Sequence, residues 1–260
     1  MKFTEIKSCY VGPAISPEQF IPEHFFLYLA KGRMNGYDGS QHYTLQPGEY
    51  CLVRKNCLGR YNKQRQDNEF EKVIFIFDEI FLKEFQKKHS IQSSESQHFD
   101  TFIRLRYDQK VPEFVASLMP YYTGDGQSNK DREDVHREEL LLLLLQLQPE
   151  LSSVLFDFGV PGKINLEAFM NRNFRFNVKL ERFAYLTGRS LSAFKRDFKQ
   201  VFNDTPTHWL VQRRLEEARF LIEQNKQKST DIYLDLGFED LSHFSFAFKR
   251  RFGINPTELV

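Results

Sequence analysis

Ala184-Tyr185-Leu186-Thr187-Gly188-Arg189-Ser190, continuing through Phe194, Phe198-Lys199, Phe202 and Pro206-Thr207, is echoed by Tyr233-Leu234-Asp235-Leu236-Gly237-Phe238-Glu239-Asp240 with Phe244, Phe248-Lys249, Phe252 and Pro256-Thr257. From Ser190 and Asp240 onward the copies are displaced by 50 positions, while Gly188 and Gly237 are displaced by 49. The second turn is therefore one residue longer, an insertion that a surface turn tolerates.

Each copy predicts a helix-turn-helix. In the first, Leu180, Phe183, Ala184 and Leu186 make a short amphipathic helix. Gly188 falls where the chain must reverse, and glycine adopts the positive φ required there without steric cost. Small Ala184 lets the second helix cross close to the first. Ser190 suits the N-cap, and Phe194, Phe198, Val201 and Phe202 form the expected buried stripe. Ser192, Lys195, Arg196 and Lys199 then face outward. In the second copy Asp240 caps, Phe244, Phe248 and Phe252 form the stripe, and Ser242, Ser245, Phe246 and Lys249 face outward, flanked by His243 and Arg250. On one helix such a face is an ordinary solvated side. Two equally spaced copies point to duplex DNA, with these residues as the candidate DNA contacts.

Working outward, residues 207–222 carry apolar residues at 210, 211, 215, 218, 221 and 222, one face of a single connecting helix. About 16 residues at a rise of 1.5 Å span roughly 24 Å. With the widths of the flanking units, that can hold two recognition helices about one DNA turn apart, roughly 34 Å. The charge agrees. The whole chain of 260 residues has a net charge of +1, yet residues 1–160 hold 19 Lys+Arg against 23 Asp+Glu, and residues 161–260 hold 17 against 12. The basic excess lies in the same segment as the repeat, the pattern expected when one of two domains meets a polyanion. Gly159-Val160-Pro161-Gly162-Lys163 is the expected linker, giving domains 1–158 and 159–260.

The N-terminal part predicts short strands. His24–Leu29, Tyr43–Leu45, Tyr50–Val53 and Val73–Phe77 are aromatic or β-branched runs separated by turn residues such as Pro47-Gly48, and a last strand is expected within Phe99–Tyr107. This texture suggests a small barrel or sandwich. Asp78 is placed to cap a helix carrying Ile80, Phe81 and Phe85, and Pro112–Tyr122 reads as a further helix before a loop at Thr123–Asp131. Arg132–Gln148 predicts a helix with leucine at every position from Leu140 to Leu145. A helix apolar all round is buried on more than one side. Either it is wedged inside its own domain, or Leu140, Leu141, Leu144 and Leu145 meet a partner subunit in a homodimer.

With these motifs in place, the last 100 residues resemble the DNA-binding domain of AraC-type transcriptional regulators. The resemblance rests on the Ala184/Gly188 unit, Phe198-Lys199, Arg213-Arg214-Leu215-Glu216-Glu217-Ala218-Arg219, Gly237-Phe238, and Phe248-Lys249-Arg250-Arg251-Phe252-Gly253 followed by Pro256. The N-terminal part, with Leu45-x-Pro47-Gly48-Glu49 and Leu52-Val53-Arg54, is similar to the family's cupin-like sensor or dimerisation domain, most like that of its type III secretion activators. The resemblance implies an α+β chain: a cupin-like β-barrel with helices, then an all-α domain of two helix-turn-helix units joined by a long helix. It also implies promoter DNA and RNA polymerase as partners. Three departures stand out. The family usually has alanine at the position of Tyr233, an apolar residue at that of Ser229, and a polar residue at that of Phe246. Tyr233 is expected to splay the second unit or to be rotated aside. Phe246 meets either thymine methyl groups or a neighbouring element.

Catalytic signatures are missing. There is no H-x-H, H-E-x-x-H, G-x-S-x-G, Walker loop or dinucleotide fingerprint, and His24 and His42 stand apart from Glu49. Cys9, Cys51 and Cys57 form no C-x-x-C pair, so a reducing compartment is expected, with no disulfide framework, metal or cofactor. The start MKFTEIKSCYVGP lacks an apolar signal core, and no stretch of 18 apolar residues occurs, which predicts a cytoplasmic protein without membrane contact. Tyr28, Arg33, Arg54 and Tyr61 are candidates to line a barrel mouth and bind an anionic or sugar-like effector; otherwise they are solvent-facing strand residues. The expected function is that of a transcription regulator, an activator by its resemblance. A cupin-type enzyme with an accessory DNA-binding tail is the alternative. A regulatory protein is the other possible source of the signal, should the barrel be filled by its own side chains.

Overall fold

The structure is a computed structural model that describes residues 19–92, 100–118 and 130–259. Cys9, the start of the strand expected at Phe99 and most of the loop expected at Thr123–Asp131 lie outside these residues. The described chain divides into two compact units: residues 21–159, and residues 160–259 together with 19–20. Residues 157–165 carry neither helix nor strand.

The first part runs β1 (Phe20–Ile21), β2 (His24–Lys31), β3 (Arg33–Tyr37), β4 (His42–Leu45), β5 (Tyr50–Val53), β6 (Cys57–Leu58), β7 (Arg60–Gln64), β8 (Glu71–Phe77), α1 (Glu79–Lys88), β9 (Phe102–Arg104), α2 (Lys110–Leu118), α3 (Lys130–Leu147) and α4 (Ser152–Leu155). The strands form a four-stranded sheet of order β8-β2-β5-β9, a three-stranded sheet of order β4-β3-β7, and the pair β1-β6. The ladders of the two larger sheets are antiparallel.

The four-stranded sheet is buried on both faces, and its period of two decides what each face touches. Phe26, Leu52, Val73, Phe75, Phe77 and Ile103 point to one side, where they pack with Phe81, Leu82 and Phe85 of α1, Val111 and Val115 of α2, and Leu140, Leu141 and Leu144 of α3. Leu27, Leu29, Cys51, Val53, Ile74 and Phe102 point to the other, against Met34 and Leu45 of the three-stranded sheet. The double burial explains the continuous apolar runs. It also places the leucine-rich helix: Leu140, Leu141 and Leu144 are buried in their own unit's core, and Leu145 is half-buried against that core. These four leucines therefore do not form an open seam.

Asp78 has two roles in this packing. Its Oδ1 accepts the N–H groups of Ile80 and Phe81, each at 3.1 Å, capping α1 as expected. Its Oδ2 takes the Arg137 guanidinium at 3.1 Å, which ties α3 to the end of β8. Arg137 also covers the Phe81 ring at 4.4 Å. Next to it Glu138 pairs with Lys88 and His89, leaving exposed Glu139 apart from it.

His24 is buried beside this network, its Nδ1 accepting the Lys55 backbone N–H at 3.3 Å. Burial, with Lys55 and Arg54 nearby, pushes its pKa down to about 3. Unfolded, the same ring titrates near 6.5, so between these values only the unfolded chain takes the proton. The stability contributed by neutral His24 is complete above about pH 6.5 and falls by about 1.4 kcal/mol per unit below it. Urea midpoints between pH 7.5 and 5.5 are expected to decline accordingly, and His24→Gln is expected to flatten the decline. A slope unchanged by the substitution would show that His24 does not carry it.

Candidate nucleic-acid interface

The second unit contains α5 (Leu166–Asn173), α6 (Leu180–Leu186), α7 (Leu191–Phe202), α8 (Pro206–Glu223), α9 (Ser229–Ile232) and α10 (Leu241–Phe252). Helices α6 and α7 form the first helix-turn-helix, and α9 and α10 the second. The repeat in sequence is a repeat in local chemistry. Ser190 caps α7 by accepting the Ala193 N–H, and Asp240 caps α10 by accepting that of His243. Helix α7 ends at Asn203 with φ 52°, α10 at Gly253 with φ 78°, both left-handed C-caps. Phe194, Phe198, Phe244 and Phe248 are completely buried, and Phe202 and Phe252 continue each stripe half-buried.

The turns also match, despite the extra residue. Gly188 N–H donates to the Tyr185 carbonyl and Arg189 N–H to that of Ala184, each at 3.0 Å; Gly237 to Leu234 and Phe238 to Tyr233 repeat the pattern at the same distance. Both glycines have positive φ, +66° and +83°. Each is also pressed against a neighbour: a Cβ on Gly188 would lie 2.3 Å from the Gly162 carbonyl carbon, and one on Gly237 2.7 Å from the Arg175 oxygen. Tyr233 keeps its backbone in this pattern while its half-buried ring packs at the edge of the second core. It is thus rotated aside, and α9 is only four residues long against seven for α6.

The outward positions agree helix for helix. Ser192, Lys195, Arg196 and Lys199 on α7 correspond to Ser242, Ser245, Phe246 and Lys249 on α10, and each set spans about 100° of helical arc. All are exposed except half-buried Ser245, and exposed His243 and Arg250 flank the second set. Phe246 is 67% exposed, so no neighbouring element covers it. It lines an open cleft of about 910 Å³ between α8 and α10, with Trp209, His243 and Arg250. Arg196 is held at rest by Asp197, 3.1 Å away. Arg189 and Arg196 keep the Asp197 carboxyl below the usual carboxylate range. Val201 is a correction to the expected stripe: it is 46% exposed, because the last turn of α7 packs through Phe202 onto Trp209 and leaves the Val201 flank open.

Helix α8 joins the units by packing its two ends on different cores. Trp209 near its start lies 5.6 and 4.5 Å from the Phe198 and Phe202 rings, whereas Leu215, Ala218 and Ile222 pack with Phe238, Phe244 and Phe248. Between them sits Arg214, read in sequence only as part of the linker motif. Its buried guanidinium donates to the carbonyls of Phe174 at 2.7 Å, Phe176 at 2.8 Å and Gly237 at 2.9 Å. Burial lowers its pKa to about 10, so it stays charged at neutral pH.

The other candidates of the first unit do not converge. Tyr28 packs on the helix side of the four-stranded sheet and Tyr61 with the core on the opposite side, so the two do not line one mouth. Arg33 is exposed at the start of β3, paired in register with Gln64, and half-buried Arg54 donates to Cys57 Sγ at 3.2 Å. Cys51 is buried, its thiol pushed up to about 12. No helix among the described residues is long and apolar enough to cross a membrane.

Comparison with known proteins agrees with this layout. Residues 24–154 match the ExsA N-terminal regulatory domain and residues 183–260 a helix-turn-helix domain. The chain belongs to the AraC-type transcriptional regulators. It is 25% identical to the HTH-type transcriptional regulator ExsA of Pseudomonas aeruginosa, covering 97% of this chain and 91% of that protein. It is 28% identical to the virulence regulon transcriptional activator VirF of Yersinia enterocolitica, covering 88% and 86%. Among solved structures, an apo, singly substituted ToxT from Vibrio cholerae aligns at 13% identity over 99% of this chain and 94% of that one, with a TM-score of 0.44. The elements of this regulator follow the order expected from its sequence, a β-rich N-terminal unit and then a helical C-terminal one.

Gly188→Ala tests the first turn. Left-handed backbone alone costs about 1 kcal/mol for a residue with a Cβ, and the contact with Gly162 adds to it. A fall in Tm of at least about 4 °C is expected by calorimetry for a domain of this size. An unchanged Tm would contradict the close approach described.

Proposed function

We propose that the second unit binds double-stranded promoter DNA by laying α7 and α10 in two successive major-groove segments on one face of the duplex. The carrying observation is the agreement of the two helices in length, caps, phenylalanine stripe and outward positions, all displaced by 50 residues. Lys195, Lys199, Lys249 and Arg250 serve the phosphates, with His243 beside them. Ser192, Arg196, Ser242 and Ser245 reach base edges, and Phe246 meets thymine methyl groups. Arg196 exchanges its exposed pairing with Asp197 for a base, a step that costs little because surface ion pairs are weak. Bound in this way, the protein recruits RNA polymerase to the promoter in the cytoplasm.

The first unit supports a protein rather than a small molecule as the signal it reads. The Phe102 ring is seated against two glycines, where a Cβ on Gly36 or Gly59 would approach it to 3.2 Å. Beside it, the space lined by Met34, Gly36, Tyr43, Cys51, Phe102 and Arg104 is about 20 Å³, room for one water molecule. With Leu140, Leu141 and Leu144 committed to the core, a homodimer would use another surface. A thermal-shift screen against sugars, bile acids and fatty acids is expected to leave Tm unchanged. A saturable rise of several degrees with any of them would contradict a closed interior.

Two substitutions test the DNA face, using duplexes selected by the wild-type protein from a random pool. Arg196→Ala is expected to weaken specific binding by about 1–3 kcal/mol and to relax preference at one base pair. Lys199→Ala should weaken all sequences alike and reduce the slope of log K against log salt by about 1. A footprint and salt slope that neither substitution alters would remove α7 from the interface.

A further inference from the structure

We propose that Arg214 is the positioning residue that fixes the spacing and rotational phase of α10 relative to α7, so that the protein accepts one separation between the groove segments it reads; this rests on the two-groove reading above. Arg214 touches no outward face and lies away from the candidate DNA contacts. Its guanidinium is a buried charge with no carboxylate partner among the described residues, satisfied by three backbone carbonyls, two from the segment between α5 and α6 and one from the turn of the second helix-turn-helix. Phe174 and Phe176 belong to the segment that leads into α6, and Gly237 begins the turn that ends at Asp240, the N-cap of α10.

The planar fork makes this geometry specific. Arginine donates along fixed directions, whereas a lysine ammonium is a point charge that reaches fewer acceptors at once. Gly237 is shaped to the fork: a Cβ there would stand 2.9 Å from Arg214 Cζ, so the turn sits directly against the guanidinium. A second link runs in parallel, where Asn177 Nδ2 donates to Glu239 Oε1 at 3.1 Å across the same segments. Arg175 pairs with Glu217, which also lies 3.8 Å from Arg213, holding that segment to α8. Apolar packing of α8 on two separate cores leaves sliding and rotation cheap; the directional bonds of Arg214 remove that freedom.

The test uses the full chain and duplexes selected by the wild-type protein, with base pairs inserted between the two protected segments. Each added pair turns the second segment by about 35°. Wild type is expected to lose at least ~10-fold in affinity on a two-pair insertion. Arg214→Lys, which keeps the charge, is expected to bind the parental duplex ~10-fold more weakly, to lose no more than ~3-fold on insertion, and to bind a duplex carrying only the α7 segment within ~2-fold of wild type. Gly237→Ala attacks the same junction from the other side and should give the same pattern, so it carries the comparison should Arg214→Lys fail to fold by circular dichroism. A two-segment site with the wild-type insertion penalty retained in the variants overturns this proposal alone, as does an equal loss on the one-segment duplex. A wild-type site with a single protected segment overturns the two-groove reading and this proposal with it.

Discussion

The DNA-binding unit depends on one buried charge, Arg214, held by backbone carbonyls and by no carboxylate among the described residues. Three carbonyls around Arg214 are charge-assisted acceptors, each worth about 1.5–3 kcal/mol, while taking a guanidinium out of water costs several kcal/mol. The two are of similar size, so the contribution to stability is small and the contribution to geometry is large. Two of the acceptors precede α6 and the third opens the turn before α10. The phenylalanine stripes make each half compact, and this guanidinium joins the segment before α6 to the turn before α10. The glycine at 237 suits this arrangement, because a Cβ there would stand 2.9 Å from Arg214 Cζ.

The regulatory unit obeys a different constraint. Its four-stranded sheet has a helix-covered face and a sheet-covered face, so hardly any of its strand positions is left to solvent. Phe25, Phe26, Phe75, Phe77 and Phe102 of its strands are five of the 27 phenylalanines in the whole chain. On the sheet-covered face the Phe102 ring is seated against Gly36 and Gly59.

Elements set by local chemistry are legible in the sequence. Both helix-turn-helix units, their caps at Ser190 and Asp240, the Asp78 cap and the apolar strands β2, β5 and β8 follow from propensity and period alone. Strands β3 and β7 give no such signal, because Arg33-Met34-Asn35-Gly36-Tyr37 and Arg60-Tyr61-Asn62-Lys63-Gln64 are short runs rich in polar residues, without β-branched side chains. Tyr28 and Tyr61 look alike in sequence, but they stand on different sheets and pack with different cores, so they do not share one mouth. The leucine run of α3 is ambiguous in sequence, since an all-round apolar helix fits a core and a partner equally, and only tertiary contacts show that Leu140, Leu141 and Leu144 belong to the core. Arg214 leaves no local signal either. Its neighbours Arg213 and Arg219 are ordinary helix-surface arginines, and only long-range carbonyls, 23 to 40 positions away, distinguish it.

In the proposed complex one chain reads two consecutive turns of the major groove on a single face of DNA. Hydroxyl-radical footprinting of the full-length protein on a selected duplex tests it most directly. Two protected windows per strand are expected, about 10 base pairs apart, with the intervening stretch accessible. One window, or two windows on opposite faces of the duplex, would contradict it.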